Sequence, residues 1–192
     1  HPVAGGPPGG RHGGGGVSHG RRLSADHVRQ ATERRTRRQR RSRWTLVASL
    51  AAVAFALDLL VKIMVRSAYR EGEGTDITGF LRIGRVTNDG IAFGLFPGNQ
   101  SAVAIITLLA LCGIAVALVG LVRRNTWAAA GAGLLVGGSL GNLLDRVTRD
   151  GVTDFIHVGR FAPFNVADCC ITVGAVMIVM GLMESSEGDA SR

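Results

Sequence analysis

Residues 44–65 read WTLVASLAAVAFALDLLVKIMV, and this run decides the class of fold. A helix needs about 20 mainly apolar residues to cross the hydrocarbon core of a membrane. Three further runs come close to that length, at residues 102–122, 127–144 and 166–182. A soluble helix shows a polar face that repeats about every 3.6 residues, and these runs contain too few charged residues for one. We therefore predict an all-α membrane protein with four transmembrane helices.

The formal net charge of +8 is concentrated before the first span. Half of the basic residues, from Arg11 to Arg43, precede residue 44. A basic run beside a first transmembrane helix is most simply a topology signal that stays in the cytoplasm, and it can also contact anionic lipid. Nucleic-acid binding is the less favoured alternative. We expect residues 1–43 to be a disordered Gly/Arg-rich cytoplasmic tail, since its Gly, Pro and His residues bury little apolar surface.

Four spans place both chain ends on one side of the membrane. The arginine-rich tail, together with Arg123 and Arg124 in the second connection, predicts that this side is the cytoplasm. Residues 184–192 then form a short cytoplasmic tail, because acidic residues contribute little to orientation. The two longer connections, residues 66–101 and 145–163, are expected on the extracytoplasmic side.

The first of these connections has the pattern of a small β element. An alternating stretch at residues 81–86 (LRIGRV) is followed by the turn-forming NDG at residues 88–90 and by IAFGLF at residues 91–96. This pattern favours an antiparallel β element at about residues 78–97. An isolated hairpin is barely stable in water, so we expect it to rest on the helix ends and the membrane surface.

Charged residues inside a span cost about 2.5–3.5 kcal/mol each at the helix centre, so each one needs a reason. Asp58 and Lys62 are four residues apart with the acid first, which is the favourable spacing for a helical ion pair. A structural ion pair explains Lys62 at least as well as a functional role does. Asp58 is more open to a functional role, because it lies in the extracytoplasmic half of its span.

The third span ends in Asn142, Asp145 and Arg146, which occur at i, i+3 and i+4 and so lie on one side of the helix. Interfacial charges and an interhelical hydrogen bond from Asn142 explain these residues as well as a functional role does. No cysteine spacing typical of a metal site or a disulfide framework occurs in the sequence.

Two aspartates stand out beyond the third span. Asp154 lies between apolar neighbours in VTDFI, and Asp168 ends the sequence FNVAD at the start of the fourth span. Asn165 with an acid three residues later resembles a helix capping box, which accounts for Asp168 alone and leaves Asp154 unexplained. Two carboxylates around a water molecule can hydrolyse a peptide bond: one takes a proton from the water, and the other protonates the carbonyl oxygen. We expect Asp168 to be the ionised member, because a helix start favours negative charge.

A transporter or proton-conducting protein is the second hypothesis, since intramembrane acids also form proton relays. The acids cluster at one surface, and no inverted repeat of broken helices is evident, which disfavours transport. The sequence contains no Gly-x-Gly-Asp motif, which weakens the case for another kind of intramembrane aspartyl protease.

Five blocks together resemble, in order, the motifs of the lipoprotein signal peptidase family, also called signal peptidase II. They are Asp58 with Lys62, NDGIAFG at residues 88–94, GNLLDR at residues 141–146, VTDF at residues 152–155, and FNVAD at residues 164–168. The similarity covers residues 44–183, which are then expected to form one four-helix membrane peptidase domain with a small extracytoplasmic antiparallel β-sheet. The basic N-terminal extension lies outside the family pattern, and the stretch between Asp154 and Asp168 looks shorter than is usual in the family.

The resemblance implies a membrane aspartyl endopeptidase that removes signal peptides from diacylglyceryl-modified prolipoproteins by cleaving before the lipidated cysteine. It implies that Asp154 and Asp168 match the catalytic aspartates. It further implies that six polar residues line or orient the site: Asp58, Asn88, Asn142, Asp145, Arg146 and Asn165. We expect a monomer in the bacterial cytoplasmic membrane, with its site at the extracytoplasmic face and with prolipoproteins and membrane lipid as partners. No cofactor, metal or nucleic acid is expected.

Overall fold

A computed structural model describes residues 16–89, 100–149 and 151–190. These ranges contain four α-helices and three β-strands. The helices are α1 (Gly16–Ala68), α2 (Gln100–Val122), α3 (Thr126–Thr148) and α4 (Val166–Ala190), and the strands are β1 (Gly74–Thr78), β2 (Leu81–Asn88) and β3 (Val152–Val158). Residue contacts divide the chain into two units, residues 1–39 and 40–192.

Each helix includes a segment that is long and apolar enough to cross a membrane: Thr32–Ala68, Ile105–Val122, Thr126–Thr148 and Val166–Ser186. The prediction of four transmembrane helices is therefore confirmed.

The ends of the chain differ from the sequence-based expectation. Residues 16–43 are helical where composition predicts a disordered tail, and residues 1–15 lie outside the described ranges. The helix is explained by residues 21–43, which are rich in Arg, a good helix former, and contain neither Gly nor Pro. At the other end α4 continues to Ala190, into the predicted tail of residues 184–192.

Helix α3 is in close contact with both α1 and α4 through small residues. A Cβ atom on Gly137 would collide with the Ala51 carbonyl of α1, and one on Gly138 would collide with the Ala167 carbonyl of α4. Small residues let helix backbones approach closely inside a membrane, where no hydrophobic effect drives helices together. The close approach brings the polar end of α3 within hydrogen-bond distance of both neighbouring helices.

The strands form one antiparallel sheet in the order β1-β2-β3. Strand β2 includes the predicted stretch at residues 81–86, whereas the second predicted strand, residues 91–96, lies outside the described ranges. The partners of β2 are β1 and β3, and neither strand follows from the hairpin pattern. In the register of β2 with β3, Val86 lies opposite Asp154 and Asn88 lies opposite Val152.

The sheet is fastened to the helix ends by polar contacts. Asp145 Oδ2 accepts a hydrogen bond from the Thr153 backbone N–H (3.1 Å), and Arg66 Nη1 donates to Thr153 Oγ1 (3.0 Å). Arg66 also pairs with Asp145 Oδ1 at 3.3 Å. Strand β3 is thereby held by α1 and α3 at the residue immediately before Asp154.

Candidate active site

The first turn of α4 places Asp168. The Asp168 backbone N–H donates to Asn165 Oδ1 (3.0 Å), and the Asn165 backbone N–H donates to Asp168 Oδ2 (3.1 Å). These reciprocal bonds are those of a capping box, here with Asp in the place that Glu or Gln usually takes. The other oxygen, Asp168 Oδ1, accepts from Asn142 Nδ2 of α3 (2.9 Å). Asp168 therefore caps its helix and also faces α3.

Asp154 is held in the sheet by two side-chain amides. Asn165 Nδ2 donates to Asp154 Oδ1 (2.7 Å), and Asn88 Nδ2 at the end of β2 donates to Asp154 Oδ2 (3.0 Å). The residue is only 2% exposed. Burial raises the pKa of Asp154 to about 6, and the nearby charge of Asp168 also raises it, while the bonds from the two amides and the charge of Lys62 lower it.

Asn142 and Asn165 join the two acids into one network. Asn165 Nδ2 donates to both Asp154 Oδ1 and Asn142 Oδ1, and Asn142 Nδ2 donates to Asp168 Oδ1. Counted over the described part of the chain, each of the four carboxylate oxygens thus accepts one N–H. Because a carboxylate oxygen can accept two hydrogen bonds, each retains capacity for a water molecule or a shared proton.

Asp58 and Lys62 form the expected ion pair, and both extend towards the acids. Lys62 Nζ lies 2.8 Å from Asp58 Oδ2, and the two side chains are fully buried. Asp58 Oδ1 accepts from the Ala167 backbone N–H (2.9 Å), next to Asp168. Lys62 Nζ donates to Asn142 Oδ1 (2.9 Å). Since this oxygen faces Lys62, the Asn142 amide must turn its N–H groups towards Asp168.

The sequence did not predict that Lys62 contacts Asn142 of the facing helix. The four-residue spacing of Asp58 and Lys62 predicts an ion pair on one helix and says nothing about the facing helix. The excess of polar residues at the end of α3 is the signal that could have suggested a partner there.

Asp145 is placed differently from the other predicted site residues. Its carboxylate lies 3.4 Å from Lys62, 3.3 Å from Arg66 and 3.5 Å from Arg149, and it also accepts from Thr153. Through these contacts Asp145, together with Arg66 and Thr153, attaches β3 to the helix ends. We call these three residues the anchor of β3. Asp145 thus supports the site without lining the cavity beside the acids. Arg66 and Thr153 belong to the same anchor, and sequence reasoning singled out neither of them.

A cavity of about 280 Å³ lies against both acids. Its polar wall consists of Asn88, Asn142, Arg146, Asp154 and Asp168, and its apolar wall consists of Val152, Phe161, Ala162, Pro163 and Phe164. Arg146 Nε is buried and has no hydrogen-bond partner within the described ranges. The cavity therefore combines two carboxylates, a half-buried arginine and an apolar wall at the start of a transmembrane helix.

The geometry agrees with what known proteins show. Residues 50–184 match the family model described as signal peptidase (SPase) II. A lipoprotein signal peptidase of Dehalococcoides mccartyi is 35% identical over 150 residues, which cover 73% of this chain and 92% of that protein. A lipoprotein signal peptidase of Rhodococcus jostii is 34% identical over 150 residues, which cover 74% of this chain and 75% of that protein.

The fold is also found among solved structures. A bacterial membrane enzyme determined by the in meso method at 2.3 Å resolution matches with a TM-score of 0.64 and 28% identity, over 74% of this chain and 90% of that one. A second such enzyme, at 1.9 Å resolution, matches with a TM-score of 0.60 and 30% identity, over 71% and 91% of the two chains. These matches confirm the resemblance drawn from the five motif blocks. This multi-pass membrane protein belongs to the signal peptidase II family, the lipoprotein signal peptidases, which cleave signal peptides from prolipoproteins.

Proposed function

We propose that the chain is an aspartyl endopeptidase in which Asp154 and Asp168 hydrolyse the peptide bond before the diacylglyceryl-modified cysteine of a prolipoprotein. The observation that carries this proposal is the shared amide network, in which Asn165 donates to both carboxylates at once. Two acids that share a hydrogen-bonding partner in a closed polar wall can act on one water molecule between them.

The surroundings of the acids support different tasks for Asp154 and Asp168. Asp168 accepts a backbone N–H at a helix start, where the helix dipole favours negative charge, so it is the ionised base. Asp154 is buried in the sheet and its pKa is raised to about 6, so it holds the shared proton.

The reaction then follows in two proton-transfer steps. Asp168 removes a proton from the water as the water oxygen attacks the scissile carbonyl carbon, and Asp154 protonates the carbonyl oxygen. The tetrahedral gem-diol collapses when Asp168 returns its proton to the departing amine nitrogen and Asp154 recovers its own. The acid and base are regenerated, and the products are a carboxylic acid and an amine.

The other cavity residues orient the acids and the substrate. Asn88, Asn142 and Asn165 fix the carboxylates, and the half-buried Arg146 supplies donors for substrate carbonyl oxygens. The apolar wall around Phe161 and Phe164 receives the peptide next to the lipidated cysteine. Because Asp168 lies in the first turn of a span, the acyl chains can stay in the bilayer while the peptide reaches the acids.

The proposed setting is the bacterial cytoplasmic membrane, with a monomer whose ends both face the cytoplasm. The arginine-rich segment before Trp44 and the pair Arg123 and Arg124 support this orientation. The acids lie at the other ends of the helices, so their site faces the extracytoplasmic side.

The test replaces each acid separately with its amide and measures cleavage of a diacylglyceryl-modified precursor in proteoliposomes, beside the unlipidated precursor. Asp154→Asn and Asp168→Asn should each lower kcat by about 10³-fold or more, because each removes one of two proton-transfer groups. Asp76→Asn, an exposed change on β1, is the matched control and should cleave normally. A folded Asp154→Asn or Asp168→Asn variant that processes the lipidated precursor at the wild-type rate would overturn the aspartyl mechanism. Equal cleavage of the unlipidated precursor by the wild type would overturn the substrate assignment.

A further inference from the structure

An apolar groove lies at the end of the helix bundle opposite the acids. It has a volume of about 230 Å³ and is lined by α1, α2 and α3, through residues that include Trp44, Val47, Leu111, Val122 and Leu135. Its lining extends along α2 from Leu111 to Val122, which corresponds to about 16 Å at 1.5 Å per residue. That length is about half of the hydrocarbon core, the depth that the acyl chains of one leaflet occupy.

The groove is open to the surrounding lipid. Val116 is 77% exposed and Ile114 is 40% exposed, and both line it. Its floor is closed by Ala132 of α3, which is 8% exposed. A linear acyl chain can therefore enter from the side without displacing a helix.

Arginines adjoin, in the chain, two residues that line the groove, Trp44 and Val122. Arg41 and Arg43 precede Trp44 on α1, and Arg123 and Arg124 follow Val122 in the turn between α2 and α3. Arg43 Nη1 donates to the Arg123 carbonyl oxygen, which joins the two groups of arginines at one place.

The Glu184 carboxylate accepts a hydrogen bond from Asn125 Nδ2 (2.8 Å), next to Arg124 in the chain, so it approaches this cluster without pairing with it. Within the described ranges, none of Arg41, Arg43, Arg123 and Arg124 forms an ion pair. A cluster of unpaired cations beside an apolar groove is complementary to a ligand with an anionic head and an apolar chain. Basic pockets between transmembrane helices have this chemistry when they bind anionic lipid head groups.

We propose that this groove is a binding site for one anionic phospholipid, whose phosphate contacts Arg43, Arg123 and Arg124 and whose acyl chain lies along α2. The site is separate from the acids: its lining on α3 ends at Val136, six residues or about 9 Å along the helix before Asn142 of the acid network. The lipid is therefore a resident of the other leaflet and does not compete with the substrate.

The chain contains a natural reporter for this site. Trp44 lines the groove, and Trp127 is the second of two tryptophans, so Trp127→Phe leaves Trp44 as the single fluorophore. In vesicles of phosphatidylcholine and phosphatidylglycerol, bromine is placed on the acyl chains of one lipid or the other at the same mole fraction. We expect brominated phosphatidylglycerol to quench Trp44 with an apparent preference of roughly tenfold, in line with two or more arginines near one head group.

Two pairs of variants separate the head-group contacts from the groove. The double variant Arg123→Gln, Arg124→Gln should remove the preference. It keeps the backbone carbonyl to which Arg43 donates. The control is the double variant Arg82→Gln, Arg160→Gln, which removes the same charge at the sheet. Ala115→Phe should fill the groove and remove the preference, while Ala117→Phe on the same helix is not in the lining and should retain it.

Equal quenching by the two lipids in the Trp127→Phe protein overturns the proposal. So does a preference that survives the loss of Arg123 and Arg124, because it then has another origin. A preference that is lost with the arginines but kept in Ala115→Phe overturns the groove as the place of the acyl chain.

Discussion

The start of α4 and the middle of β3 each supply one carboxylate, and they hold it in different ways. Asp168 is half-buried and accepts one backbone N–H and one amide N–H. Asp154 is almost fully buried and, among the residues that the structure describes, accepts hydrogen bonds from the side chains of Asn88 and Asn165 alone. At the helix start, Asp168 lies beside the partial positive charge of the helix N-terminus. In the strand, Asp154 is surrounded by buried, uncharged groups and side-chain amides.

The difference shows how two identical side chains can become unlike acids. A helix start stabilises the ionised form, and a buried strand position favours the protonated form. Asn165 is the residue common to both environments, since its backbone and side chain each serve one acid. The proposed division into base and acid depends on keeping the two environments distinct, and the following changes test that dependence.

The largest effect is expected from Asn165→Ala, which removes the side chain that links both acids. We expect kcat to fall by about 10³-fold, because Asp154 and Asn142 lose a shared donor and the helix start loses its cap. The measurement is single-turnover cleavage of the lipidated precursor.

Asn125→Ala is the matched control, since Asn125 Oδ1 caps α3 by accepting from the Ala128 backbone N–H (3.0 Å). It should lower thermal stability by about 1 kcal/mol or more and leave kcat unchanged. Equal losses of activity in the two variants would show that capping alone matters, and that the link between the acids does not.

A smaller effect, opposite in sign for the two acids, is expected in stability. The folded-state pKa of Asp154, about 6, lies above its ordinary value of 3.8. The protonated carboxyl is therefore favoured by folding below pH 3.8, and this stabilisation is lost as pH rises through about 6, at a cost of about 3 kcal/mol. Asp154→Asn does not ionise, so at pH 8 it should be more stable than the wild type by about 2 kcal/mol after the loss of one acceptor.

Asp168→Asn should instead lower stability by about 1 kcal/mol, because it weakens the capping box of α4. Thermal unfolding in detergent at pH 4 and pH 8 measures both differences against the wild type. The gain from Asp154→Asn should disappear at pH 4. A gain of the same size at both pH values would contradict the assignment of Asp154 as the group that resists ionisation.

The smallest effect on activity is expected from Gly141→Ala, which acts on the start of α4 through Asp58. A Cβ atom on Gly141 would collide with the Asp58 carboxylate, which holds the Ala167 backbone N–H. We expect a loss of about 1–3 kcal/mol in stability and a modest fall in activity, because the start of α4 must shift. Gly113→Ala on α2 is the control, since a Cβ there meets nothing within 4 Å. Identical melting temperatures for the two variants would show that the Asp58 contact does not position α4.

Much of the fold follows from composition, because long apolar runs have few alternatives in a membrane. Strand β3 could not be predicted in the same way. It is only 7 residues long, and its partner β2 ends more than 60 residues earlier in the chain. No local pattern encodes a pairing over that distance, and the turn sequence at residues 88–90 pointed to a nearer partner.

In the candidate site, too, some features follow from the local sequence and others depend on distant parts of the chain. The capping sequence around Asn165 and Asp168 is local, so its geometry could be predicted. The roles of Asp145 and Arg146 at the end of α3 were harder to predict, because side chains of consecutive residues point about 100° apart around a helix. Arg146 lines the cavity, whereas Asp145 reaches Arg66 and the anchor of β3. Which of the two would meet the acids depends on how the neighbouring helices pack.

The placement of Asp154 in a strand and Asp168 in the first turn of a span affects how water and substrate reach the two acids. Hydrolysis consumes water, and a catalytic pair deep within a bundle would need a hydrated channel to obtain it. Here one acid belongs to the sheet and the other to the rim of the lipid phase, so water and an acylated chain can arrive from opposite directions. In the proposed mechanism, the two reactants meet at the boundary that already separates them.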